Sequence, residues 1–221
     1  MAVIKKISAL NKQFLKPVVA LGMFDGVHLG HASVINHAID IAKKISGTSI
    51  VFTFSNHPLT IINPAAAPLM IGNKTLRREI LLNMGVDVLI EIPFTKDFSK
   101  KSPEEFLTLL QEKIAPAYVV TGINYTFGRF GRGNCRMLLR EAENYGFKAE
   151  VCQSFNVDRK IVSSTRIRAL IAAGDLISVN KLLGRSFIYA GEVVNGDKRG
   201  RKIGFPTANL EISDKRAMLP N

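Results

Sequence analysis

The 221-residue sequence has no tryptophan and two cysteines, Cys135 and Cys152. Their spacing fits neither a metal-ligand pattern nor a disulfide framework, so both read as reduced packing residues. No stretch approaches the roughly 18 to 20 uninterrupted apolar residues of a membrane span, which predicts a soluble globule without membrane partners. The opening MAVIKKISALNKQF lacks the apolar block and small-residue site of a signal peptide, and a cytoplasmic location is expected. Internal repeats are absent. Acidic residues are scarce: 18 Asp and Glu against 30 Lys and Arg give a formal charge of +12, a surplus that attracts polyanions without choosing among them. The basic residues are scattered rather than gathered into a tail, which speaks against a nucleic-acid-binding arm.

What is present is an alternation. Apolar runs rich in Val and Ile at residues 17–23, 49–54, 86–92, 117–120 and 148–151 read as buried strands. Between and after them, residues 33–44, 76–83, 103 onward, 135–144, 165–173 and 176–183 carry helical period. Ser102, Pro103, Glu104 and Glu105 combine a capping side chain, a first-turn proline and acids at the positive dipole end. Strand-helix alternation of this kind predicts an α/β fold, a parallel sheet covered by helices on both faces. Residues 63–68 read as a surface loop. After Gly184 the composition changes: residues 187–194 read as a strand, Asn195 to Asp197 as a turn, and the remaining three dozen or so residues are too few for a core of their own. The expected division is a main domain over 1–184 and an appendage over 185–221.

Two segments carry chemistry. Gly22, Met23, Phe24, Asp25, Gly26, Val27, His28, Leu29, Gly30 and His31 follow one another where the strand at 17–23 gives way to the first helix. Ligands of parallel sheets bind at such strand ends. The glycines let backbone approach a ligand, the histidines three apart point to one side of a helical turn, and the helix start offers free N–H groups to phosphate. No Cys or acid cluster accompanies the histidines, so no metal site is expected. The second segment, Ser163, Ser164, Thr165, Arg166, Ile167 and Arg168, leads hydroxyls into a helix with arginines in its first turns, a geometry suited to a polyphosphate.

These residues, together with Thr53 to Pro58, Leu81 to Thr95, Ser102 to Phe106, Thr126 to Gly128 and Leu183 to Arg185, resemble the bacterial FAD synthetases, the bifunctional riboflavin kinase and FMN adenylyltransferase family. The resemblance runs the length of the chain and implies a Rossmann-like nucleotidyltransferase domain followed by the start of a β-barrel kinase domain. It implies transfer of AMP from ATP to FMN, giving FAD and pyrophosphate, with Mg²⁺ arriving on ATP. His28, His31, Ser164 and Arg168 would be catalytic, with Gly22, Met23, Phe24, Asp25, Gly30 and Thr165 around ATP. His57 and Asn124 would face the flavin, Asn124 standing where the family pattern carries an acid. Gly191 to Leu210, including Gly204 to Asn209, is similar to the opening of the kinase domain, where Thr207 and Asn209 would match ATP and Mg²⁺ ligands. The kinase's catalytic acid and most of its barrel would lie beyond Asn221, so adenylyl transfer without kinase activity is expected. Two other readings remain open here: a transferase for another phosphorylated acceptor, and a non-catalytic RNA-binding relative. The absence of aromatics interleaved with basic residues weighs against the latter.

Overall fold

The computed structural model describes residues 2–10, 14–195, 204–205, 207–211 and 216–220. Part of the turn expected at 195–197 and Pro206 of the Gly204 to Asn209 stretch lie outside these residues.

Six strands, β1 (Ala2–Ile4), β2 (Val18–Leu21), β3 (Ser49–Phe54), β4 (Val88–Ile92), β5 (Tyr118–Gly122) and β6 (Lys148–Cys152), form one sheet of order β1-β4-β3-β2-β5-β6. All five pairings are parallel. The helices are α1 (Leu29–Lys44), α2 (Lys74–Asn83), α3 (Pro103–Lys113), α4 (Cys135–Glu141), α5 (Ser164–Ala172) and α6 (Leu176–Leu183). Their starts are written in side chains: Asn73, Asn134, Ser163 and Asp175 each accept the N–H three residues on. Ser102 and Glu105 form a reciprocal capping box at α3.

Successive strand residues point to opposite faces and meet different helices. Val19, Leu21, Phe52 and Ile90 pack with Phe106, Leu107 and Leu110 of α3 and Leu138 of α4. Val18, Ala20, Val51 and Leu89 pack with Ile35, Ala38 and Ile39 of α1 and Leu81 of α2. The α5–α6 hairpin builds a third cluster, in which Ile167, Ile171, Val179 and Leu182 close over Ile71 and Val162. From β2 the chain passes through β3 and β4 on one side and then returns to place β5 and β6 on the other. The C-terminal ends of β2 and β5 therefore flank the switch point where α/β sheets bind ligands.

The strand expected over 187–194 shortens to Glu192–Val194, paired antiparallel with Asn209–Glu211. All six residues of this ribbon are exposed, and the Phe187 N–H instead donates to Asn180 Oδ1 of α6 at 2.6 Å. The appendage also touches the main body: the Met70 N–H donates to the Arg216 carbonyl at 2.7 Å and the Met218 N–H to the Met70 carbonyl at 2.8 Å, burying Ala217. Strand β1 and the short helices Leu59–Ile62 and Lys96–Ser99 add to the elements expected from sequence.

Candidate active site

At the switch point the backbone after β2 takes an uncommon path. Phe24, Gly26 and Val27 have φ of 50°, 74° and 40°, a region that costs energy for a bulky or β-branched residue and persists only where neighbours enforce it. Arg185 supplies that enforcement by donating to the Val27 carbonyl at 2.9 Å and to the Gly26 carbonyl. A side chain at Gly26 would also place its Cβ 2.7 Å from Ile71.

His28 caps α1: its Nδ1 accepts the His31 N–H at 3.2 Å, which leaves Nε2 to carry the proton in the neutral ring. The rings of His28 and His31 stack at 3.6 Å with 15° between planes. Burial pushes the His28 pKa down to about 4 and that of His31 well below the usual imidazole value. Near neutral pH the two rings are therefore hydrogen-bonding groups rather than cations. Among the described residues, the buried Nδ1 of His31 has no partner, a group left available to a ligand.

A cavity of about 500 Å³ opens from these histidines. Gly22, Met23, Phe24, His28, Gly30 and His31 line one end, with Ser163 and Ser164 at the start of α5. His57 and Asn124 line it as well. Its far end is an aromatic wall: Phe54 meets Phe94 and Phe98 at 5.0 and 5.1 Å, Phe98 meets Phe106 at 6.2 Å, Phe106 meets Phe127 at 5.6 Å, and Tyr125 stacks on Phe127 at 5.9 Å. Among the described residues, none that lines it is Asp, Glu, Lys or Arg. An anion at the histidine end would meet neutral donors and the N-termini of α1 and α5, both of which open on the cavity.

Three residues expected at the site stand behind this lining. Asp25 is 3% exposed and turned inward, its Oδ1 accepting the Ile71 N–H at 3.0 Å and its Oδ2 paired with Arg168 at 2.6 Å. Burial raises its carboxyl pKa, and Arg168 opposes the rise. Arg168 also donates to the Leu69 carbonyl at 2.7 Å, so both residues of the pair brace the loop before α2. Thr165 is exposed on the outer side of α5, while Ser164 Oγ donates to the Asp25 carbonyl at 3.2 Å. Thr207 and Asn209 are exposed and apart from the cavity, Asn209 on the C-terminal ribbon.

Sequence reasoning did not find the clamp that joins the two ends of the cavity. Arg77, 3% exposed, donates to the Met23 carbonyl at 3.3 Å, to the Phe54 carbonyl at 2.7 Å and to Glu91 at 2.8 Å. Glu91, 2% exposed on β4, also receives Arg78. A lone acid inside the apolar run of β4 was the available signal, because such a charge is buried only with partners.

A parallel sheet with a histidine-capped helix at its switch point defines a Rossmann-like nucleotidyltransferase. A FAD synthetase family model matches residues 10–166 and a riboflavin kinase model matches 183–221, and the chain belongs to the FAD synthetase family. A bifunctional riboflavin kinase/FMN adenylyltransferase of Listeria monocytogenes is 35% identical over 201 residues, 90% of this chain and 64% of the relative. One of the same description from Bacillus subtilis is 33% identical over 212 residues, 96% of this chain and 67% of the relative. The chain thus spans about two thirds of the length of these relatives. A solved structure described as a macrolide-efflux protein from Streptococcus pneumoniae superposes with a TM-score of 0.87 at 31% identity, covering 99% of this chain and 70% of that one. A pantoate-beta-alanine ligase from Francisella tularensis shares the fold alone, with a TM-score of 0.51 at 19% identity over 81% of this chain and 77% of that one.

Proposed function

We propose that the chain transfers the AMP moiety of ATP to FMN. One observation carries this reading: a single cavity joins a phosphate-binding end, built on the stacked pair of His28 and His31 and on two helix N-termini, to an aromatic wall broad enough for a fused ring system. A phosphate oxygen of FMN forms a bond to the α-phosphorus of ATP as the bond to the bridging oxygen breaks, giving FAD and pyrophosphate. Both reactants are anions, so rate comes from alignment and from hydrogen bonds that meet growing charge on the phosphates. His28, His31 and the backbone N–H of Ser164 at the start of α5 are the donors placed for this, while Gly22, Met23, Phe24 and Gly30 bring backbone against the nucleotide. Arg168 acts from behind the lining, as does Asp25, by holding the strand-to-helix turn, and Thr165 sits at the rim of α5. His57 and Asn124 serve the flavin side.

ATP would enter as its magnesium complex, and because the described residues lining the cavity include no carboxylate, phosphate oxygens and water would hold the ion. Residues 1–184 form the transferase unit and 185–221 the kinase-type segment, whose Thr207 and Asn209 take no part in the transfer. A cytoplasmic location follows from the substrates. The test is incubation with ATP, Mg²⁺ and either FMN or riboflavin, with products separated by chromatography. FAD from FMN supports the assignment, and unreacted FMN under conditions where a known FAD synthetase converts it overturns it.

A further inference from the structure

The loop between β5 and α4 makes a tight hairpin, Thr126–Phe127 paired antiparallel with Gly133–Asn134. Its inner side supplies Phe127 to the aromatic wall, with Tyr125 just before it. Its tip does the reverse. Phe130 is 72% exposed and holds φ at 60°, a conformation costly for a phenylalanine and enriched at ligand-contacting loops. The strain is enforced from both sides. The Arg129 N–H donates to the Lys101 carbonyl at 2.6 Å and the Gly131 N–H to the Gly128 carbonyl at 3.0 Å. At Gly128, whose φ is 72°, a Cβ would stand 2.5 Å from the Pro103 nitrogen, so the tip is seated against the start of α3. The guanidinium carbons of Arg129 and Arg132 lie 4.8 and 5.8 Å from the Phe130 ring centroid. These contacts steady the ring yet leave most of it open to solvent.

Gly128 and Gly131, one on each side of the tip, line the cavity. A large apolar ring that is fixed, strained and uncovered between two residues that line a cavity has a surface with no use in the fold. We propose that Phe130 is a stacking platform that receives the outer part of the acceptor's planar ring system when its inner part lies against Tyr125 and Phe127. This rests on the reading of the acceptor as a flavin, and it makes Phe130 a specificity-determining residue for the ring rather than for the phosphates.

The chain has no tryptophan, so F130W introduces the single indole at the platform. Binding of FMN to F130W, F130L and F130G is measured by change in the flavin's own emission, so the readout does not depend on turnover. F130G suits the left-handed backbone and removes the ring without new strain. The expected result is a rise of about five- to tenfold in the FMN dissociation constant for F130G and F130L, with ATP affinity unchanged. Emission of FMN bound to F130W should be quenched more deeply than with the wild type, because an indole in contact with a flavin quenches it. Equal FMN affinity in F130G and wild type, or a loss that falls on ATP instead, overturns the platform. FAD synthesis is followed on the same samples. If FAD forms and F130G binds FMN normally, the stacking idea fails and the transferase reading stands. If F130G loses FMN affinity and no variant or wild type makes FAD, the platform stands and the transfer reading fails.

Discussion

The two ends of the cavity are built on opposite plans. At the histidine end the side chains are few and the backbone carries the design: strained turns, two helix N-termini, and arginines that hold carbonyls from behind. At the aromatic end the backbone of β3 and β4 is regular and six rings, Phe54, Phe94, Phe98, Phe106, Phe127 and Tyr125, carry the design by contact. Charge is directional and must be met by groups fixed before it arrives, whereas a flat apolar ring needs area and shape. Arg77 donates to the Met23 carbonyl at one end and the Phe54 carbonyl at the other, so a single buried guanidinium sets the distance between them.

That joint is where the contrast breaks most completely. Glu91→Gln should cost about 3 to 5 kcal/mol of stability by leaving Arg77 buried beside a neutral amide. Chemical denaturation reads it, and a midpoint equal to wild type would mean the clamp is ornamental. Replacing His28 and His31 together by Ala separates the ends: kcat should fall about a hundred- to a thousandfold while FMN still binds. Retained turnover would remove the histidines from the chemistry.

Acid should act on the histidine end through His28, and on His57 across the cavity, whose pKa burial also lowers to about 4. The folded-state pKa of His28, about 4, lies below the 6.5 of a free imidazole, so between those values the unfolded chain binds the extra proton. The contribution is whole above pH 6.5 and is lost as pH falls toward 4, by about 3 kcal/mol at most. Thermal melts of wild type and of the His28→Ala variant across that window test the sign: the variant should lose less. The smallest effect belongs to the wall. Phe98→Ala removes ring contacts to Phe54, Phe94 and Phe106 and should weaken FMN binding by about 2 kcal/mol, with kcat at saturating FMN little changed. A fall in kcat with unchanged affinity would blur the division between the ends.

Much of the fold was legible because buried parallel strands are continuous apolar runs and the helix starts are marked by Asn, Ser and Asp caps. Strand β1 escaped because it is three residues long and half exposed at the sheet edge. At the site, the histidine pair and the Ser163–Ser164 start of α5 were readable as local patterns. The inward turn of Asp25 was not, since its partner Arg168 is 143 positions away and nothing local announces the pair. The aromatic wall was hidden for the same reason: Phe54, Phe94, Phe106 and Phe127 share no period and meet only through the sheet. The strand expected over 187–194 failed for a different cause, because a ribbon without a covering layer supports only the few residues its partner can pair.

Met70 and Ala217 show that the edges of a matched family and the edges of a folding unit are separate things. The FAD synthetase match ends at residue 166, yet the N–H and C=O of Met70, in the loop beside the cavity, are satisfied by residues 216 and 218. A protein cut after Gly184 would hand those groups to water and remove Met218 from its packing against the cluster that holds Ile71 and Val162. Amide exchange at Met70 is where such a cut would first be felt, well inside the part of the chain it leaves untouched.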